Sequence, residues 1–186
     1  MNAPLPNSYR VSHEALFAGE YPGDLDSREA RQNVAALLDA GITVFIDLTA
    51  PDDRMTPYED VLHEEARQRG VDARRVAMPV PDMGIATPLA MHRILDEIDA
   101  HLANGRATYV HCWGGVGRTG LVVGCHLVRR GSDGAAALQR VADLFATMSP
   151  HKVASHGGMS PQTSAQHDMV RDWERHERAT DGGRGA

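Results

Sequence analysis

Ala107-Thr108-Tyr109-Val110-His111-Cys112-Trp113-Gly114-Gly115-Val116-Gly117-Arg118-Thr119-Gly120 is the stretch from which the rest of this 186-residue chain can be read. Its first six residues form a short apolar run that stops at a glycine turn, the pattern of a buried strand. Such a strand delivers Cys112 to the lip of a sheet. Three glycines then allow backbone conformations that a side chain would forbid, and a helix begins near Arg118. Successive N–H groups in a turn of this kind converge on one point, making an anion nest at a helix N-terminus. Arg118 lies six positions after Cys112, across the mouth of the nest, and its planar fork can hold two oxygens of one anion, which Lys cannot. A helix N-terminus and a nearby cation also favour a thiolate, the reactive form of a cysteine. A nucleophile and an anion site built from one loop imply attack on a bound oxyanion, and phosphate fits best.

Outward from this stretch, strands and helices alternate. Ser27 is placed to cap a helix over 28–40, with Val34, Leu37 and Leu38 on its apolar face and Gly41 ending it. Residues 42–48 are a β-branched run short enough for a buried strand. A helix is predicted over 58–69, closed by Gly70, and a strand over 74–80, stopped by Pro79 and Pro81. Pro88 opens a helix over 89–103, with Ile94, Leu95, Ile98 and Leu102 at helical spacing. Further helices are expected over 118–130, 134–148 and 162–178, and residues 9–20 offer one or two edge strands. The pattern predicts an α/β fold with a central, largely parallel twisted sheet flanked by helices. One domain over 1–179 accounts for it, followed by a tail over 180–186 that reads as disordered.

Composition narrows the function. Net charge is −6, and the largest basic clusters are the doublets Arg74-Arg75 and Arg129-Arg130. Extended nucleic acid and an anionic membrane surface are therefore not expected partners. No apolar run approaches the roughly 20 residues that span a bilayer. The first seven residues lack the regions of a signal peptide, so a cytoplasmic location is expected. Two cysteines, Cys112 and Cys125, are too few for a disulfide scaffold.

Other motifs overlap the glycine turn. Residues 115–120 match G-x-G-x-x-G, but that fingerprint needs a second strand after the helix with an acidic residue about 20 positions on, and the next segment reads helical. The Walker pattern fails because Arg118 replaces its Lys and Cys112 stands at its first Gly. Ten histidines are present, with no His-x-x-x-His pair and no second Cys near Cys112, so no metal or other cofactor is expected. A merely structural Cys before a glycine turn leaves Arg118 unexplained.

His-Cys, five residues, Arg, Thr resembles the signature of the cysteine-based protein tyrosine phosphatase superfamily, and Trp-Gly-Gly-Val-Gly within it resembles the small atypical dual-specificity branch related to the cyclin-dependent-kinase-associated phosphatase. The layout over 42–173 is similar in order and spacing. The resemblance implies that family's α/β sandwich, metal-free hydrolysis and a phosphocysteine intermediate. It implies that Cys112 attacks phosphorus while the amides of Trp113, Gly114, Gly115, Val116, Gly117 and Arg118, with the Arg118 guanidinium, hold the equatorial oxygens. Thr119 would stabilise the departing thiolate, and His111 would orient the loop without moving protons. The family takes its proton donor from an Asp thirty to forty residues before the Cys; Asp82, between Pro81 and Pro88, has that position, with Asp52 and Asp53 in reserve. A water-positioning Gln is expected at Gln166, with Gln162 as second choice.

The expected partner is a phosphorylated protein or a small phosphomonoester, with the protein monomeric. The five residues after Cys112 include no Lys, Arg or His, unlike family members acting on inositol lipids, which often carry basic residues there. A shallow pocket open to phosphotyrosine and to phosphoserine or phosphothreonine leads, and a phosphorylated metabolite or nucleotide is the alternative. A catalytically silent phosphate-binding module and a sulfur transferase are the other classes. Residues 149–160, with His151, Lys152 and His156, lie between helices; a plain surface loop is the leading reading and a border of the pocket the alternative. Cys125 lies about 10 Å along the helix from its start at ~1.5 Å per residue, too far to bridge Cys112, and reads as core.

Overall fold

The computed structural model of the protein describes residues 3–181. Five strands form one sheet: β1 (Ser8–Arg10), β2 (Leu16–Gly19), β3 (Ile42–Asp47), β4 (Arg74–Ala77) and β5 (Ala107–His111). Their spatial order is β1-β2-β5-β3-β4, with only the β1–β2 pair antiparallel. β5 therefore lies at the centre, Tyr109 opposite Phe17 of β2 and Phe45 of β3. The helices are α1 (Ser27–Asp39), α2 (Glu59–Arg69), α3 (Pro88–Ala103), α4 (Gly117–Arg129), α5 (Gly134–Phe145), α6 (Pro150–Ser155) and α7 (Ser164–Asp181).

Side-chain alternation along the strands divides the core in two. Phe45 and Tyr109 pack with Val34 and Leu37 of α1 and Leu62 of α2. Val44, Ile46 and Val110, on the other face, pack with Ile94 of α3, Val122 of α4, Val141 of α5 and Trp173 of α7. The predicted α/β architecture, a largely parallel sheet with helices on both faces, is the one found. Both strands expected in residues 9–20 are present; β1 is an edge and β2 lies inside.

Several boundaries differ from expectation, each for a local reason. Asp26, not Ser27, caps α1, its carboxylate accepting the Arg28 N–H at 2.8 Å. β4 ends at Ala77, although Met78 and Val80 still donate to the carbonyls of Asp47 and Leu48 at 2.8 and 3.1 Å, so the chain follows β3 past the strand to Pro81. α5 stops at Phe145. α7 starts at Ser164 because Thr163 and Gln166 close a reciprocal cap: Thr163 Oγ1 accepts the Gln166 N–H at 3.3 Å and Gln166 Oε1 accepts the Thr163 N–H at 3.2 Å. The same helix runs to Asp181, so residues 180 and 181, expected in a disordered tail, are helical. The rest of that expected tail lies outside the described residues.

The segment 149–160 is not a plain loop. Ser149 caps α6, with Pro150 at its first position, and its hydroxyl accepts the Lys152 N–H at 3.3 Å. Ser149 also donates its N–H to the Pro6 carbonyl at 3.1 Å and its hydroxyl to Asn7 Oδ1 at 2.6 Å. The turn is thereby fixed to the N-terminal segment.

Candidate active site

β5 ends at His111 and α4 begins at Gly117, so the five residues between them turn the chain from the sheet centre into a helix. Gly115 takes φ +72°, a left-handed conformation that a side chain disfavours. Space forbids one as well: a Cβ there would lie 2.5 Å from the Glu20 nitrogen and 2.6 Å from the Gly19 carbonyl oxygen. The loop carbonyls are drawn outward. Tyr21 donates its N–H to the Trp113 carbonyl at 2.9 Å, and the Ser160 hydroxyl donates to the Val116 carbonyl at 2.8 Å. Gly120 donates its N–H to Val116 at 3.0 Å, and the three preceding amides of α4 have no intrahelical acceptor. These amides and the helix dipole make the loop an anion site.

Cys112 is buried at the floor of a cavity of about 270 Å³, which Asp82, Arg118 and Gln162 also line. The Thr119 hydroxyl donates to Cys112 Sγ at 3.1 Å. Arg118 is almost wholly buried and its two terminal nitrogens differ. Nη1 is fixed by Asp53 Oδ2 at 2.5 Å and by the Val80 and Leu48 carbonyls at 3.2 and 3.4 Å; Nη2 meets Asp82 Oδ1 at 3.0 Å. Burial opposes the Arg118 charge, but the hydrogen bond it donates to Asp53 and the electrostatic pull of Cys112, Asp53 and Asp82 more than offset it.

His111 is fully buried behind the loop. Its Nδ1 faces the Cys112 carbonyl at 3.4 Å and Asp47 Oδ1 at 3.8 Å, so Nδ1 carries the hydrogen and Nε2 accepts the Tyr58 hydroxyl at 2.8 Å. Burial pushes the imidazole down to about 4, against the pull of Asp47, so the ring is neutral at neutral pH. Asp47 is held in turn by Arg75 Nε at 2.7 Å and by the Thr49 N–H and hydroxyl at 2.8 and 2.7 Å. Burial alone would raise its carboxyl; the His111 ring, Thr49 and Arg75 outweigh that and hold it below the usual range. The ring is a buried strut between Tyr58 and Asp47 behind the loop.

Asp82 follows β4 on an exposed loop; its carboxylate is half exposed, pairs with Arg118 Nη2 and lines the cavity that Cys112 also lines. Asp53, a reserve candidate, has only 4% of its side chain exposed and is committed to Arg118 and to the Ala50 N–H at 2.8 Å, so it cannot serve as proton donor. Asp52 lies exposed beside it in the 3-10 turn Pro51–Asp53 and is absent from the residues lining the catalytic cavity.

The two glutamines meet the phosphate loop in different ways. Gln166 is fully buried with both ends used: Oε1 accepts the N–H groups of Gln162 and Thr163, and Nε2 donates to the Gly84 carbonyl at 2.9 Å. It ties the Asp82 loop to the start of α7 and keeps one Nε2 hydrogen beside Gly117 of the phosphate loop. Gln162 lines the cavity instead, its Oε1 so close to Gly117 that a Cβ there would come within 2.6 Å.

α6 brings Lys152 and His156 to the rim of this cavity, the alternative expected for that segment, while His151 is absent from its lining. The Ser-Pro pair opening a helix at Ser149 was the available signal. Cys125 is buried and unpaired, its thiol pushed far up by burial, as befits a core residue. Among the described residues no group of His, Cys, Asp and Glu is arranged to hold a metal ion, and no helix is long and apolar enough to cross a membrane.

A buried cysteine at the end of a central parallel strand, an amide-lined turn and an arginine six residues on define a cysteine-based phosphatase of the dual-specificity class. The chain belongs to the family described as Swiss Army Knife protein, DSP-PTPase phosphatase domain, which it matches over residues 23–171. It is 40% identical over 50 residues to cyclin-dependent kinase inhibitor 3 of Sus scrofa; the match covers 27% of this chain and about a quarter (24%) of the length of that relative. The fold is similar to that of the kinase associated phosphatase with its catalytic-site cysteine changed to serine, with TM-score 0.71, 19% identity, and coverage of 93% of this chain and 95% of the other. It is also similar to TpbA of P. aeruginosa in complex with phosphotyrosine, with TM-score 0.59, 20% identity and coverage of 94% of each chain.

Proposed function

We propose that the protein hydrolyses phosphotyrosine, and by extension phosphoserine and phosphothreonine, in a phosphorylated protein through a phosphocysteine intermediate. The observation that carries this reading is the Thr119 hydroxyl on Cys112 Sγ at 3.1 Å, with Arg118 and Asp82 over the same cavity. Cys112 Sγ attacks phosphorus as the ester P–O bond breaks, and the Asp82 carboxylic acid gives its proton to the leaving oxygen. Water then attacks the phosphocysteine, the Asp82 carboxylate takes its proton, and the S–P bond breaks to a thiolate that accepts the Thr119 hydrogen bond. Gln162 is the side chain placed to hold that water. The loop amides and Arg118 stabilise the charge on the equatorial oxygens throughout.

Phosphotyrosine is favoured over a compact metabolite by the rim. Trp113 and Met83, both more than half exposed, stand at the cavity mouth and offer apolar surface to an aromatic ring. TpbA, with the same fold, binds phosphotyrosine. The reading extends to action in the cytoplasm as a monomer.

The test is hydrolysis of p-nitrophenyl phosphate and of phosphotyrosyl and phosphoseryl peptides by wild type, Cys112→Ser and Asp82→Asn, with EDTA and a reductant present. Activity that survives EDTA and vanishes in Cys112→Ser is expected. Vanadate binding without any turnover in the wild type would instead identify a silent phosphate-binding module, and faster turnover of sugar phosphates than of peptides would identify a metabolite enzyme.

A further inference from the structure

Gly117 and Gly120 lie three positions apart, on one face of the first turn of α4. The segment that leads into α7 lies against that face. A Cβ on Gly120 would collide with Ser160 Oγ and lie 3.3 Å from Pro161 Cα. One on Gly117 would lie 2.6 Å from Gln162 Oε1 and 3.2 Å from Gln166 Oε1. Two glycines of the signature are thus cut away for a neighbour that is distant in the chain.

That neighbour is held in place. Gln166 Oε1 accepts the N–H groups of Gln162 and Thr163 at 3.0 and 3.2 Å, and the Pro161 carbonyl meets His167 Nε2 at 2.9 Å. Ser160 is 2% exposed and absent from the residues lining the catalytic cavity, so it meets the loop from behind. Its hydroxyl donates to the Val116 carbonyl at 2.8 Å, across 44 positions of chain. The same carbonyl accepts the Gly120 N–H at 3.0 Å, which fills both of its acceptor positions. A trans peptide unit is planar, with its C=O and N–H on opposite sides. A Val116 carbonyl fixed away from the cavity therefore aims the Gly117 N–H into the anion nest. Glycine at 117 would otherwise let this unit turn at little steric cost.

We propose that Ser160 is a positioning residue for the phosphate: its hydroxyl sets the Val116–Gly117 peptide unit so that the Gly117 N–H meets a substrate oxygen, and Gly120 lacks a side chain so that the hydroxyl can reach. The inference rests on the phosphatase reading above and adds to that site a residue that touches no substrate atom. It also divides the glycines of the signature by partner. Gly115 is shaped by the end of β2, and Gly117 and Gly120 by the approach to α7.

The experiment measures kcat/KM for p-nitrophenyl phosphate, vanadate affinity by calorimetry, and urea unfolding, for wild type, Ser160→Ala, Gly120→Ala and the double variant. Ser160→Ala removes the donor and leaves the space; Gly120→Ala keeps the donor and pushes it off. Each should lower kcat/KM and vanadate affinity together by about tenfold, the upper scale of one hydrogen bond. The double variant should lose no more than the worse single variant, because the added methyl no longer has a hydroxyl to displace. A fall in unfolding free energy with kcat/KM and vanadate affinity unchanged would make Ser160 merely structural and overturn the proposal. Losses that add in the double variant would overturn the link between Ser160 and Gly120. Vanadate binding needs no turnover, so the phosphatase reading fails separately: wild type that binds vanadate and hydrolyses nothing overturns that reading, while the affinities of the variants still decide the role of Ser160. Should Gly120→Ala not fold by circular dichroism, Ser160→Ala, which only removes an atom, carries the test.

Discussion

Arg118 Nη2 and Asp82 Oδ1 stand 3.0 Å apart, while Arg118 Nη1 is locked by Asp53 and two carbonyls. One end of the guanidinium is an anchor and the other is exchangeable. Under the proposed mechanism, a phosphate that takes Nη2 would displace the Asp82 carboxylate and turn it toward the leaving oxygen. Binding of the anion and release of the proton donor would then be one event.

Asp82→Asn separates the two halves of that event. Loss of the proton should lower kcat about 10²–10⁴-fold with an alkyl phosphate, and much less with p-nitrophenyl phosphate, whose leaving group needs little help. Loss of the carboxylate's hold on Nη2 should leave vanadate binding as tight as in wild type or tighter. Vanadate inhibition weakened tenfold in this variant would contradict the exchange.

Asp53→Asn should show the opposite signature. With Nη1 released, Arg118 loses its aim, and KM should rise about tenfold, the scale of one charge-assisted hydrogen bond. Dependence of kcat on leaving-group pKa should match wild type, because Asp53 gives no proton. A steepened dependence would return Asp53 to the role of acid.

Gln166→Ala leaves the Gly84 carbonyl and the Gln162 and Thr163 amides without their buried partner. Stability should fall by about 1–3 kcal/mol. Because the Asp82 loop is released, kcat should fall while Cys112 alkylation by iodoacetate proceeds at the wild-type rate. Urea unfolding and alkylation rates together check this. Slower alkylation would show that Gln166 supports the nucleophile's loop instead.

Two buried histidines set a pH dependence of stability. Burial depresses both His111 and His126 from 6.5 to about 4, and His126 has no hydrogen-bond partner at either ring nitrogen among the described residues. Between those pH values the unfolded chain binds protons that the folded one does not. Their contribution is therefore intact above about pH 6.5 and is lost as pH falls toward 4. Each group can change the slope by at most ~1.4 kcal/mol per pH unit in that window. His126→Gln should flatten the fall in urea-unfolding free energy between pH 6.5 and 4. An unchanged slope would mean that His126 is already charged in the folded protein.

The sheet, its helices and the nucleophilic turn were legible because they rest on local patterns: β-branched runs, helical spacing and a fixed Cys-to-Arg interval. Asp82 was legible through spacing to Cys112 in the resembling family. What was hidden depends on contacts between segments far apart in sequence. Asp53 and Asp82 look alike as loop aspartates, and only burial against Arg118 separates the anchor from the half-exposed candidate for the acid. Thr163-Ser164-Ala165-Gln166 is a capping box, a local signal for the start of α7, but the bond from Gln166 to Gly84 is set by a contact 82 positions away. Lys152 and His156 reach the cavity only because Ser149 docks on Pro6 and Asn7, more than 140 positions away.

The nine-residue signature is only half of an anion site. Gly115 lies backbone to backbone on Gly19 and Glu20, and Tyr21 holds the Trp113 carbonyl, so the mould for the turn is the end of β2. Grafting the signature onto another strand and helix would transplant the nucleophile without the surface that shapes its cradle. Within this chain, drift at either partner is constrained by the other, although nearly a hundred residues separate them.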